Sequence, residues 1–242
     1  MSRRLVIIPT YNEIENIERV VRNVFSQRRG FHVLVVDDNS PDGTAEKTKA
    51  LQKEYPNTLF LEERNRKSGI GKAYIHGFKW ALEREYSFIF EMDADFSHNP
   101  NDLVRLYNAC AKNGADVAIG SRYITGVNVV NWPMKRVLMS WMASKYVKLI
   151  TQMNIQDTTA GFVCYRREVL EKINLDTIQF VGYAFQIEMK FKAHLLGYKI
   201  VEVPVVFTDR TKGTSKMSGK IISEAVFGVV KMKFKSLIGK EV

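Results

Sequence analysis

A single α/β domain on a mainly parallel sheet is the fold class predicted for this 242-residue chain. Three observations carry the prediction. Short apolar runs alternate with longer amphipathic stretches through the first half, as strands do when helices interleave them. A hydrophobic content of 45% supplies one sizeable core. Several apolar runs also stop abruptly in polar residues, the pattern of strands whose carboxyl ends open on a ligand crevice.

Taken in order, RLVIIPT (4–10), HVLVVDD (32–38), NTLFLEE (57–63), SFIFEMD (87–93) and ADVAIGS (115–121) read as strands. Residues 13–26, 43–54, 70–84 and 101–113 read as the helices between them, the second beginning after a Pro-Asp-Gly turn. Beyond residue 125 the pattern changes. Trp132, Met134, Leu138, Trp141, Met142, Tyr146 and Leu149 are set among bases, which suits one or two amphipathic helices starting near Pro133. Residues 161–166 and 198–207 read as further strands flanking a helix over 183–196, and a last helix covers about 218–236. No internal repeat or low-complexity linker interrupts the chain.

Composition narrows the function. No charge-free apolar run approaches 18 residues, so a spanning helix is not expected; the start MSRRLVIIPTYNE lacks a signal-peptide layout, and a cytosolic protein is expected. Cys110 and Cys164 are too few for a disulfide framework and read as small core residues. The net charge of +10 favours an anionic partner, with nucleic acid, lipid headgroup and phosphorylated small molecule all open. The excess lies late: Gly126 to Gln156 holds four bases and no acid, and Arg210 to Val242 holds eight Lys/Arg against two Glu.

Five segments carry chemistry. In EMDADFSHNP (91–100), Asp93 and Asp95 are separated by the small Ala94 at a strand end, so both carboxylates can point to one side. Two such acids repel unless a cation lies between them or one is protonated. Magnesium, which binds through one or two carboxylates plus substrate phosphates, suits so sparse a set; helix capping is the plainer reading. In PTYNE (9–13), Tyr11 is placed to stack on a nucleobase, and Glu13 either serves a ribose or opens a helix. VVDDNSPDGT (35–44) offers Asp37 and Asp38 to a ribose or base edge, although the same residues form ordinary turns. KSGIGKAY (67–74) lacks the spacing of a phosphate-binding loop and reads as a helix start, leaving Lys67 or Arg64 as aids to a diphosphate. RTKGTSK (210–216) combines Arg210 and Lys216 in a basic loop suited to phosphate oxygens or to open solvent. His98, with no second His at a metal-site spacing, reads as a structural hydrogen-bonding group.

Together these segments resemble the dolichyl- or polyprenyl-phosphate mannose synthases, family 2 glycosyltransferases of the GT-A fold. The matching residues are PTYNE (9–13), VVDDNSPDGT (35–44), DADFSHNP (93–100), GSRY (120–123), NWP (131–133), DTTAGF (157–162), GYAFQIE (182–188) and RTKGTSK (210–216). The resemblance implies GDP-mannose as donor, a polyprenyl monophosphate as acceptor, Mg2+ or Mn2+ as cofactor, and no nucleic acid. It implies nucleoside contacts at Pro9, Tyr11, Glu13, Val36 and Asp38, and donor diphosphate and metal contacts at Asp93, Ala94 and Asp95, with Ser97 where some relatives carry a metal-ligating Gln. Gln186 falls in the sugar-pocket motif, Arg210 and Lys216 on the loop over the donor, and Arg122, Arg136 and Ser140 near the acceptor phosphate. Asp95, Arg122, Arg136 and Arg210 are thereby the residues expected to carry catalysis.

An acceptor that is already an anion needs no general base, since a phosphate monoester's second pKa lies near ~6. Its apolar tail stays in the bilayer, so the enzyme must approach the membrane. Segments 127–150 and 218–238 of the single domain (1–242) are expected to lie in the interface, with Trp132 and Trp141 among the apolar anchors. A peripheral position on the cytoplasmic face follows, with a small membrane-anchoring subunit as a further partner. Two competing readings remain: transfer from UDP-glucose on the same scaffold, and a non-enzymatic membrane or nucleic-acid binding module. The acidic strand ends weigh against a polyanion ligand.

Overall fold

The computed structural model describes residues 3–182, 184–209 and 219–239, with main chain alone for 219–225. All five strands expected in the first half form: β1 (Arg4–Thr10), β2 (Phe31–Asp37), β3 (Leu59–Glu63), β4 (Phe88–Glu91) and β5 (Val117–Ser121). Between them run α1 (Ile17–Ser26), α2 (Thr44–Gln52), α3 (Ile70–Glu83) and α4 (Leu103–Ala111). The helix expected from residue 13 starts later because Glu13 closes a turn first, its carbonyl accepting from the amides of Asn16 and Ile17 at 2.9 Å.

The second half contains β6 (Val129–Val130), α5 (Met134–Thr151), β7 (Val163–Arg166), α6 (Arg167–Lys172), α7 (Ala184–Leu195), β8 (Ile200–Pro204), β9 (Phe207–Thr208) and α8 (Gly219–Leu237). Pro133 sits immediately before α5, which runs as one 18-residue helix. The strand expected over 198–207 is divided: β8 joins the main sheet, whereas β9 leaves it and pairs with β6.

Seven strands form the main sheet in the order β3-β2-β1-β4-β7-β5-β8. All neighbours are parallel except β7, which runs antiparallel to both β4 and β5. The chain winds outward from β1 to β3 on one side and then crosses to β4 on the other, so the order reverses beside β1, the place where open α/β sheets bind ligands. The carboxyl ends of β1, β2, β4, β5 and β8 share one edge. Because β7 is reversed, the loop preceding it, residues 157–162, enters the same edge.

Alternate side chains of the central strands feed two cores. Leu5, Ile7, Leu34 and Val36 pack with α3 and α7; Val6, Ile8, Val33 and Val35 pack with α1 and α4. Helix α3 comes close to the sheet at Gly77, where an added Cβ would lie 2.7 Å from Ile7 Cγ2. Gly69 opens that helix at φ +99, and a Cβ there would lie 2.7 Å from the Val181 carbonyl oxygen. A side chain at either position has no room without movement of its neighbour. Cys110 and Cys164 are buried free thiols, as expected. Among the described residues no helix is long and apolar enough to cross a membrane.

Candidate active site

At the nucleoside end of the edge, β1 and β2 are tied at their tips. Thr10 Oγ1 donates to Asp37 Oδ2 at 2.8 Å, and Ser40 donates to both Asp37 oxygens through its amide and hydroxyl, at 2.8 and 2.6 Å. Asp37 is therefore saturated within the chain, whereas the neighbouring Asp38 faces partners across the crevice. Its Oδ2 accepts from the Ser68 amide at 3.3 Å, and Arg64 Nη1 lies 3.0 Å from Oδ1 without hydrogen-bond alignment. Burial pushes the Asp38 carboxyl up from its ordinary value, opposed by the Arg64 charge. Tyr11 lies beneath the Lys67 ammonium, 4.2 Å from the ring centroid. Arg64 and Lys67, expected near a diphosphate, thus stand beside Asp38 and Tyr11, and a recess of about 340 Å³ lined by Glu63, Arg64, Ser68 and His76 opens there. Pro9, one residue before the end of β1, pairs with Val36, whose side chain is wholly buried in the core. Glu13 accepts from Asn16 Nδ2 at 2.9 Å, and its amide donates to Thr44 Oγ1 at 3.0 Å, which joins the two loops.

The loop after β4 holds the paired carboxylates. Tyr74 donates to Asp93 Oδ1 at 3.3 Å, the Asp93 amide to His98 Nδ1 at 3.1 Å, and the Ser97 amide to Asp95 Oδ1 at 3.1 Å. Phe96 adopts φ +63, rare for a bulky residue, and the reversal it produces lets these short-range bonds close. His98 is structural, as its sequence context predicted: it stacks on Phe162 with ring centroids 4.9 Å apart, and burial holds its pKa down at about 4. The neutral ring accepts on Nδ1 and carries its proton on Nε2. Among the described residues no three His, Cys, Asp or Glu side chains form a metal-binding group. Asp93, Asp95 and the Ser97 hydroxyl, which is buried without a hydrogen-bond partner, nevertheless present hard oxygen atoms that fit a divalent ion completed by substrate oxygens.

Farther along the edge, Arg122 is buried against Asp157. Its Nε and Nη2 donate to the two carboxylate oxygens at 2.7 and 2.6 Å, its amide donates to Oδ2 at 2.9 Å, and Nη2 also reaches Thr159 Oγ1 at 2.9 Å. Burial alone would raise the Asp157 pKa, but the Arg122 charge and its hydrogen bonds outweigh burial and hold it below the ordinary carboxylate range. Arg136, at the start of α5, lies 4.1 Å over the Trp132 ring and donates to both oxygens of Asp209 at 2.8 Å. Trp132 also meets Phe207 edge-on at 5.1 Å, so it belongs to this cluster and not, as expected, to the exposed apolar face. Ser140 follows Arg136 by one turn, beside the Tyr123 hydroxyl. Between the two ends sits Gln186 on α7, whose Nε2 donates to Glu91 Oε2 at 2.5 Å. Glu91 is fully buried, and burial lifts its pKa to about 8. Arg210 and Lys216 lie outside the described residues.

Sequence reasoning missed Asp157, Thr159, Glu91 and Lys190 as members of this edge. The signal for the first two was the polar DTTAGF run before an apolar strand. It was matched as a motif with no role for either residue, because nothing local told that the strand after it runs backwards.

A mainly parallel sheet carrying paired acids after β4 and a buried arginine on the same edge has the layout of the GT-A fold. The glycosyl transferase family 2 model matches residues 5–174, and the chain belongs to that family. It is a glycosyltransferase. It is 48% identical to a polyprenol monophosphomannose synthase of Mycolicibacterium smegmatis over 94% of this chain and 86% of that one. It is 46% identical to an undecaprenyl-phosphate mannosyltransferase of Micrococcus luteus over 95% of this chain and 93% of that one. A mannosyltransferase from Pyrobaculum calidifontis, solved with GDP-Man and Mn2+, shares the fold at TM-score 0.62 and 22% identity, covering 98% of this chain and 64% of that one.

Proposed function

We propose that the chain transfers mannose from GDP-mannose to a polyprenyl monophosphate at a membrane surface and inverts the anomeric centre. The observation that supports this reading is that Asp38, the paired acids Asp93 and Asp95, and Arg122 and Arg136 with their carboxylate partners lie along one sheet edge. An exposed apolar surface adjoins the end that holds the arginines. The names of the relatives at 46–48% identity agree with it.

Asp93, Asp95 and Ser97 would hold Mg2+ or Mn2+, which when bound offsets the negative charge that grows on the departing diphosphate. Asp38 accepts hydrogen bonds from the base. Gln186, braced by Glu91, orients the sugar. Arg122 and Arg136 hold the acceptor phosphate and aim one of its oxygens at the anomeric carbon. Near neutral pH that acceptor is mostly dianionic, with a second pKa of about 6, so no side chain has to remove a proton. His98 is accordingly free to be structural.

The membrane part of the reading rests on α5 and α8. Tyr146 of α5 donates to the Val226 carbonyl of α8 at 2.9 Å, which joins the helices, and together they expose Leu138, Trp141, Met142, Leu149, Phe227 and Phe234. Leu149 and Phe227 are each 77% exposed. Lys135, Lys145, Lys148, Lys231, Lys233 and Lys235 lie on the same helices, each adding about 1 kcal/mol near an anionic leaflet. Such a surface suits the cytoplasmic face of a membrane, or a small membrane subunit that covers it.

A radiolabelled-donor assay with GDP-mannose, UDP-glucose and a polyprenyl phosphate, with and without Mg2+ or Mn2+, tests the reading. Metal-dependent β-mannosyl phosphate is expected. Preference for UDP-glucose, or an α-linked product, would overturn it. Flotation with anionic vesicles tests the surface: Leu149→Glu/Phe234→Glu is expected to lose flotation, and equal flotation would refute the membrane role.

A further inference from the structure

Lys190 on α7 is fully buried, and no substrate role was expected of it. Its ammonium donates to three main-chain carbonyls: Ala160 at 2.5 Å, Thr158 at 3.1 Å and Gln186 at 3.2 Å. The first two flank Thr159, whose hydroxyl accepts from Arg122 at 2.9 Å. The third belongs to the residue whose side chain reaches Glu91 at the end of β4. One cation therefore spans the acceptor end and the sugar end of the edge. A buried charge is costly in desolvation, and a core that needed only volume at this position would use Leu or Met. Burial pulls the Lys190 pKa down to about 8, with Glu91 and Asp157 acting to keep the proton on.

We infer that Lys190 is a positioning residue for transfer: by gripping the carbonyls on either side of Thr159 it turns that hydroxyl toward Arg122, and through the Gln186 carbonyl it keeps the acceptor-binding arginine in register with the sugar-binding amide. The inference rests on the proposed mannosyl transfer to a lipid phosphate. Loss of Lys190 frees residues 158–160 to relax, so Arg122 loses its second acceptor and its guanidinium, still paired with Asp157, is held less firmly where the remaining N–H groups meet the incoming phosphate.

The test compares wild type with Lys190→Met, Glu91→Gln/Lys190→Met, Thr159→Val and Thr159→Val/Lys190→Met, measuring thermal midpoint, kcat and the separate KM values for donor and acceptor. The Glu91→Gln/Lys190→Met variant removes both ionisable groups and guards against simple failure to fold. Expected are a tenfold or greater fall in kcat and a several-fold rise in acceptor KM for both Lys190 variants, with donor KM within about twofold of wild type in Lys190→Met. Thr159→Val, which keeps the shape, is expected to raise acceptor KM in the same direction and to be non-additive with Lys190→Met. Wild-type kcat and acceptor KM in the folded Glu91→Gln/Lys190→Met variant would reduce Lys190 to a stability role and overturn the inference. An unchanged acceptor KM in Thr159→Val would overturn the route even if no Lys190 variant folds. Absence of mannosyl transfer by wild type would remove the functional reading itself, whereas transfer by wild type with unaltered variants would remove only this inference.

Discussion

Replacing Asp157 by Asn isolates what the buried arginine contributes. Asp157 is wholly inaccessible and receives three hydrogen bonds from Arg122, from the amide, Nε and Nη2, at 2.6 to 2.9 Å. Asparagine keeps the volume but offers one oxygen and a donor where two charged acceptors stood. Arg122 is then left in the interior with its charge uncompensated, a change that costs about 3–5 kcal/mol in comparable buried pairs. For a chain of this size each kcal/mol moves the melting point by about 2–4 °C, so a fall of roughly 10 °C is expected in a thermal scan. Acceptor KM should rise while donor KM stays near its wild-type value. The Arg122→Met/Asp157→Leu variant should regain much of the stability, because two apolar groups replace two charges, and still lack transfer. Acidity gives an independent check. The folded-state pKa of Asp157 lies below its ordinary value, so its stabilisation is fully present above the unfolded carboxylate range, near ~4, and is lost as pH falls through the lowered folded value. Asp157→Asn should flatten that acid limb. A melting point within about 2 °C of wild type, together with an unchanged acceptor KM, would refute the reasoning.

Chelation or Asp95→Ala should abolish transfer without lowering the melting point, measured by product formation and by a thermal scan. Asp38→Asn should raise GDP-mannose KM by about 10- to 100-fold, the loss of one charged hydrogen bond, with acceptor KM unaffected in steady-state assays. Gly77→Val should destabilise the fold by at least about 1–3 kcal/mol in denaturant titration, since even the Cβ would lie 2.7 Å from Ile7 Cγ2.

The fold was legible where periodicity is long. The five strands before residue 122 and the four helices between them formed within a few residues of their expected limits, because each must bury one face or both against the sheet. β6, with two residues, and α6, with six, are too short for any period to show. At the site, Asp93 and Asp95 were visible because two acids one residue apart at a strand end repel unless a cation or a proton intervenes, although capping was the plainer reading of the motif by itself. Asp37 and Asp38 looked alike in sequence, yet one is consumed by Thr10 and Ser40 while the other faces the crevice; only the β1–β2 register decides between them. Trp132 looked like a membrane anchor because amphipathic spacing cannot show that β9 brings Phe207 against it. Asp157, Thr159 and Lys190 were hidden for a related reason, since Asp157 and Thr159 meet Arg122, and Lys190 meets the Thr158 and Ala160 carbonyls, across 30 or more residues of sequence.

Under the proposed function, the reversed strand β7 acts as a ruler between the two substrates. Val163 and Tyr165 point into one core and Phe162 and Cys164 into the other, so sliding the strand by a single residue would exchange every one of these side chains between the layers. Such a slip would also carry Asp157 and Thr159 about 3.3 Å along the sheet, farther than a hydrogen bond tolerates. Under the proposed function, the spacing between lipid phosphate and departing nucleotide is thus set by greasy side chains of the two cores.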